Sequence, residues 1–396
     1  MDLKSLLKFP LVFFILAAGI GLLLRAHHFW PIDGFTYPYW LHGHSHGMFL
    51  GWIVNALTIG FVARFLDEHQ HPRYVRLLLL VNGVLALMLI SFPLQGYGLC
   101  SIILSTLHTA LVCVFIYWFY RDTRYRKGQV AVDFARLSLV FFFISAAGPL
   151  VLGVLMAKGL GYTQEYYLAV YYYLHFQYNG VFTFGALALF YQWLETSGMP
   201  IEQSSAKRFL LWLFIACFPA YALSTLWTNP GTVIVLIGGI SAGMQIIAFL
   251  YFIRSFRKNI STWLRVCKTS SQILLYVAFL AFGVKLILQL LSAHPTISLM
   301  AYEVRNYVMA YLHLVLLGMI SFFLMAWYQE QFKKTDYHPI LLILLIGGFL
   351  LSEIMLIGTG WMPRDIINGS LLVASIGMLL GIAGLSLMFI HIETKS

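Results

Sequence analysis

Residues 39–52 read YWLHGHSHGMFLGW, and three histidines, His42, His44 and His46, stand at alternate positions where a long apolar run begins. Imidazole, with an ordinary pKa near ~6.5, is a common metal ligand. Ionisable groups at a membrane helix are costly to keep there and point to a function. The reading of the whole chain turns on two questions: whether this run is a membrane span, and whether other segments supply partners for its histidines.

Composition answers the first. Of 396 residues, 60% are hydrophobic and 10% are charged, against roughly 25% charged in soluble domains. A helical span needs about 20 mostly apolar residues. The chain is therefore expected to be all-α, a polytopic membrane bundle of about twelve transmembrane helices forming a single integral membrane domain over 1–396. The spans are expected near 9–25, 42–66, 76–92, 98–120, 134–157, 167–194, 207–227, 231–255, 271–291, 303–328, 338–358 and 366–391. Breakers separate many of them: Pro31 and Pro38, Pro72, Pro93 with Gly96, Gly159 with Gly161, Gly198 with Pro200, and Asn229-Pro230-Gly231. No internal repeat, low-complexity tract or long linker stands out. The first apolar segment resembles a signal sequence but lacks an AxA-type cleavage site, so it reads as a retained span. Cys100, Cys113, Cys217 and Cys267 lie in or beside apolar runs with no CxxC, which suggests neither a disulfide framework nor a zinc site.

The formal charge of +10 does not point to nucleic acid, because the basic residues fall in short loops between spans. With the N-terminus cytoplasmic, one side carries Lys4, Lys8, Arg64, Arg73, Arg76, Arg121, Arg124, Arg126, Lys127, Arg136, Lys207, Arg208, Arg254, Arg257, Lys258, Arg265, Lys268, Lys333, Lys334 and Lys395. The other carries Arg25, Lys158, Arg305 and Arg364, and Lys285 lies inside the ninth span. This asymmetry places both termini inside. His42, His44 and His46 then lie in the first turns of the second span, near the outer surface. His108, His175 and His313 sit roughly 12–15 Å deep from the outer side, at ~1.5 Å per helical residue.

Spans 2, 4, 6 and 10 thus each bring histidine to the outer half. His42 and His46, four apart, share one helix face, while His44 points elsewhere. Two imidazoles on opposed helices can hold a haem iron, with apolar walls around the macrocycle. Three on converging helices can instead hold copper or zinc.

These residues carry a resemblance. Histidines on spans 2, 6 and 10 of a twelve-span chain look like the catalytic subunit of haem–copper oxidases and nitric-oxide reductases. His46-Gly47-Met48-Phe49 is similar to the His-Gly start of that family's low-spin haem helix. Tyr311-Leu312-His313-Leu314-Val315 resembles its His-x-His-x-Val stretch, with His313 at the low-spin ligand position. His44-Ser45-His46-Gly47-Met48, ending in Gly51, also resembles the second helix of NnrS-type haem- and copper-containing membrane proteins. The resemblance implies a b-type haem held by His46, or His42, with His313, and Arg305 placed to meet a propionate. It implies a second metal, copper, or a gas pocket at His175, with His44, His108, Tyr178 and Tyr311 as further candidates. It also implies an electron-donor protein or quinol as partner, residence in the inner (plasma) membrane, and oxygen or nitric-oxide chemistry. The family's histidine pair on span 7 has no counterpart, Tyr311 replaces the high-spin haem ligand, and Tyr178 follows His175 at three residues rather than four. One haem site is therefore better supported than a binuclear centre, and catalysis stays open. The competing readings are a transporter or metal-export protein, and a haem sensor without turnover. Lys285 and Glu353 are candidate proton carriers, and Asn55, Gln95 and Gln245 candidate links between helices.

Overall fold

The computed structural model describes residues 2–258, 260–332 and 336–392. Lys333, Lys334 and Lys395, counted above on the inner side, lie outside the described residues, as does the side chain of His391. The protein is an all-α, multi-pass membrane bundle. Its long helices are α1 Leu3–Ala26, α2 Tyr37–Phe65, α3 Glu68–Gln95, α4 Leu99–Asp122, α5 Val130–Ala157, α6 over 164–196, α7 Gln203–Thr228, α8 Thr232–Phe256, α9 Thr269–Leu291, α10 Arg305–Phe332, α11 Pro339–Gly360 and α12 Arg364–Ile392. Among the described residues, eleven of these are long and apolar enough to cross a membrane; α6 falls outside that set, and its first turns are rich in tyrosine. Helices dominate because lipid offers no partner for a backbone N–H or C=O, so each span must bond internally.

The start of α2 differs from expectation. Pro38 reads as a breaker, yet the helix begins at Tyr37 with Pro38 in its first turn. Proline is tolerated there because its missing N–H would be unpaired anyway. His42 therefore lies more than a turn inside α2 rather than at its mouth. The turn after α3 needs glycine at position 96. Its φ is +57°, and a Cβ there would meet the Tyr39 ring at 2.5 Å.

The chain forms two compact units. The first comprises residues 1–123, 269–271 and 324–396, and so α1 to α4, the end of α10, α11 and α12. Its core holds Trp52, stacked on Phe14 at 4.5 Å, and a reciprocal amide pair, Asn55 on α2 with Asn82 on α3. α11 and α12 pack closely because Gly348 and Gly381 put backbone against backbone; a Cβ on Gly348 would lie 2.7 Å from the Ala374 oxygen. The second unit comprises 124–268 and 272–323, and so α5 to α8, most of α9 and most of α10. Phe134, Tyr191, Phe209 and Phe252 form its aromatic core.

In the first unit, Asp336 lies just before α11. It accepts from the Ser270 N–H at 3.2 Å, the Gln329 amide at 3.0 Å, the Tyr337 N–H at 2.9 Å, and the Ser270 hydroxyl. Partial burial acts to raise its pKa, but these donors outweigh it and hold the carboxyl below its ordinary value. A depressed carboxyl stabilises the fold above the unfolded-state pKa, and that contribution fades as pH falls through the folded value. Asp336→Asn should therefore flatten the acid limb of the stability curve between pH 6 and 3. Because the residue is exposed, the difference should stay within about 1 kcal/mol. Parallel acid loss in both proteins, read as unfolding midpoints in detergent, would show that Asp336 contributes nothing.

Candidate functional site

The same local device occurs three times. α2 widens to a π-helix over Gly47–Val54, α6 over Phe176–Phe182 and α10 over Leu314–Ser321. Each π segment starts on the residue after a histidine: His46, His175 and His313. Each carries glycine five residues beyond that histidine: Gly51, Gly180 and Gly318. π turns are rare, appear often at functional sites, and leave backbone groups without their usual partner. Here side chains supply it. Thr183 donates to the Tyr178 oxygen at 2.6 Å, and Ser321 to the Leu316 oxygen at 2.7 Å.

The glycines also admit a neighbouring ring. A Cβ on Gly51 would lie 2.8 Å from Phe13 Cγ of α1, and one on Gly180 would lie 2.5 Å from Phe141 Cγ of α5. Phe13 and Phe141 both sit in a Leu-Val-Phe-Phe run, 11–14 and 139–142. The same contact thus occurs once in each unit, which the sequence reading did not draw out. It shows as a packing pair, Phe against π-helical Gly.

In the first unit, His44 is a packing residue. Its Nδ1 bonds the Ala17 oxygen at 2.8 Å, and its ring fills the space beside Gly21. Tyr173, the matching position on α6, also lies against a glycine, Gly148 of α5, but through its Cβ and backbone rather than its ring. His42 and His46 face elsewhere, toward Phe92 and Tyr97. The His46 ring stacks on Phe92 at 4.3 Å, and its Nε2 is 3.4 Å from the Tyr97 hydroxyl. The His42 ring meets Tyr97 edge-on at 4.6 Å. His108 of α4 is buried, and a charge on it or on His42 would be felt at His46. His46 is half-buried, yet its Nδ1 is shielded and has no hydrogen-bond partner.

That orphaned nitrogen tests the fit of a metal or haem iron. One ring nitrogen lies near a protein hydroxyl and the other is uncommitted, which is the donor state a ligating imidazole needs. The donor chemistry fits. The cavity that His46 lines with Phe13, Gly47, Gly51, Leu85, Met88 and Leu89 measures about 10 Å³, room for about one water and not for a macrocycle, so the fit is to the donor requirement of the iron alone.

In the second unit, His175 is fully engaged. Its Nε2 donates to the Cys217 oxygen at 2.8 Å, and its Nδ1 accepts from the Asn179 amide at 3.1 Å. Both nitrogens are spent on protein partners, so as it stands this is a satisfied core histidine rather than a copper ligand. Tyr178 lies within reach of Ser224 and packs edge-on to Tyr311 at 5.8 Å. His313 is half-buried at the head of its π segment. Arg305 is exposed at the start of α10, close enough for its charge to act on Tyr171. Among the described residues, no group of three or more His, Cys, Asp or Glu side chains is arranged to hold a metal ion.

The sequence reading missed Tyr97 and Phe92, which set what His42 and His46 can do. Tyr97 and Phe92 flank the α3–α4 turn, a place breaker residues mark but do not interpret. No protein-family profile and no curated protein matches the chain.

Proposed function

We propose that this is a b-type haem protein of the inner (plasma) membrane, in which His46 would help hold the haem and whose role is electron transfer. The observation that carries the reading is the uncommitted Nδ1 of His46, on a π-helical α2, beside His42 and His108. His42 lies four residues from His46 on the same helix face and so does not supply the opposite ligand. The resemblance drawn from the sequence names His313 for that place, and His108 is the alternative within the first unit. Held by two imidazoles, a haem would supply single-electron transfer. The chain's own part is to hold His46 through the Phe92 stack and to keep Tyr97 at its Nε2 edge. Electrons would then come from a donor protein or quinol.

The test is the visible spectrum and iron content of protein purified with haem supplied during expression. A Soret band with sharp low-spin bands on reduction is expected, with about one iron per chain and no carbon-monoxide shift. His46→Ala should lose the haem. His313→Ala and His108→Ala should separate the two candidates for the second ligand, the correct one turning the spectrum high-spin. Protein that carries neither iron nor a Soret band would end the proposal.

A further inference from the structure

The second unit holds a cavity of about 30 Å³ between α6, α8, α9 and α10. Its lining side chains are all alanine, leucine, isoleucine, methionine or phenylalanine. Phenylalanine supplies the frame. Ring centre to ring centre, Phe190 stands 5.6 Å from Phe252, 5.5 Å from Phe279 and 6.4 Å from Phe323. Ala186 of α6 and Ala278 of α9 add only a methyl group each. At these spacings the rings already touch, so they cannot close over the two alanines, and the gap between them stays open.

A buried water needs about 10–15 Å³ and two to four polar partners. The volume would admit about two waters, but the walls hold no hydroxyl, amide or charged group to bind them. The space therefore favours an apolar occupant. It is too small for a ring, since benzene takes a cavity of about 150 Å³. The way in is set by α9. The other lining residues are buried, whereas Phe279 is half-buried. Beside it Tyr276 and Leu280 are 58% and 69% exposed, so this stretch of α9 faces lipid. Phe279 lies about 15 Å from the Thr269 end at ~1.5 Å per residue, level with the middle of a hydrocarbon core about 30 Å thick. Apolar gases leave water for that layer, and Phe279 is the lining residue that meets it.

We propose that this cavity is a binding site for a small uncharged gas, of the size of dioxygen, which enters from the bilayer past Phe279. The lining sets the chemistry, since it offers contact to an apolar molecule and nothing to a polar one. The volume sets the size. Ala186 lies three turns beyond His175 on α6, and no histidine lines the cavity. The inference is therefore independent of the haem reading, and haem-free protein should show the site as well.

The test uses the full-length chain in lipid nanodiscs with methyl-labelled alanine, followed by NMR under rising xenon pressure, with helium as the pressure control. Xenon occupies dry apolar cavities. The methyl signals of Ala186 and Ala278 should shift and saturate. The methyl of exposed Ala110 on α4 should move in proportion to pressure, as it would for xenon dissolved among lipid tails. Ala186→Val should fill the gap, so that the Ala278 shift loses its saturation and falls to the Ala110 slope. Ala278→Val, read at Ala186, provides the same comparison if the first variant fails to fold. Dioxygen is paramagnetic, and it should broaden the Ala278 methyl in the unaltered protein and much less in Ala186→Val. No saturable xenon shift in the unaltered protein, an undiminished shift in the folded variants, or equal broadening by dioxygen with and without the valine would each overturn the proposal.

Discussion

Alanine at position 180 should lower the unfolding free energy by about 1–3 kcal/mol, the range typical of overpacking a closed core, and valine should leave little folded protein. The added methyl would lie 2.5 Å from Phe141 Cγ, 2.6 Å from its Cβ and 2.9 Å from its Cδ1. Phe141 has nowhere to go. It is 0% exposed and is packed by Phe176, Phe184, Phe214 and Phe218 at centroid distances of 5.0–6.0 Å. Relief must therefore come from α5 and α6 moving apart, which gives up apolar contact along both helices. Gly51→Ala should act in the same direction with a smaller effect, since its nearest approach to Phe13 is 2.8 Å and Phe13 is 5% exposed. It also adjoins His46, so haem occupancy should fall with stability if His46 is a ligand. Gly153→Ala is the control: nothing lies within 4 Å of its Cβ, and alanine is the better helix former. Unfolding midpoints in detergent decide the matter, and a Gly180→Ala protein as stable as the parent would mean that the Phe141 contact yields freely.

The bundle was legible in the sequence because membrane solvent imposes a rule that composition reports directly: long apolar runs, short loops and few charges. Helix ends were less legible. Pro38 serves equally as a breaker and as a first-turn residue, and only the packing of Tyr39 on Gly96 decides between them. Histidines 42, 44 and 46 were legible as a cluster, and the division between His44 and its neighbours followed from helical angle. What His44 touches did not, since the Ala17 oxygen is a backbone atom on another helix. The same holds for His175, whose partner is the carbonyl of Cys217. Sequence patterns carry side-chain identity, and carbonyl acceptors are invisible in them. The shared Phe–Gly contact escaped for a related reason. A histidine five residues before glycine, and a Leu-Val-Phe-Phe run, carry little information in a chain with 32 phenylalanines and 32 glycines. They gain meaning only when Phe13 meets Gly51 and Phe141 meets Gly180.

The Asn55–Asn82 pair should behave differently from these steric sites, because its energy lies in the mutual satisfaction of two amides. Asn55 donates to the Asn82 oxygen at 2.7 Å, Asn82 returns a bond at 3.3 Å, and its amide also donates to the Leu78 oxygen at 2.7 Å. Both residues are buried, at 1% and 3% exposure. Replacing Asn82 with leucine keeps the volume similar but leaves the Asn55 amide in an apolar interior, at a cost of about 1–3 kcal/mol. Asn55→Leu should cost less, since Asn82 keeps its bond to Leu78. The double variant should be more stable than the sum of the two losses predicts, because no stranded amide remains. Couplings of this kind between membrane helices run from about 0.6 up to about 1.7 kcal/mol, and the two-way geometry here places the expected value toward the upper end. If the two losses simply add, the amides are not exchanging bonds, and apolar packing alone joins α2 to α3.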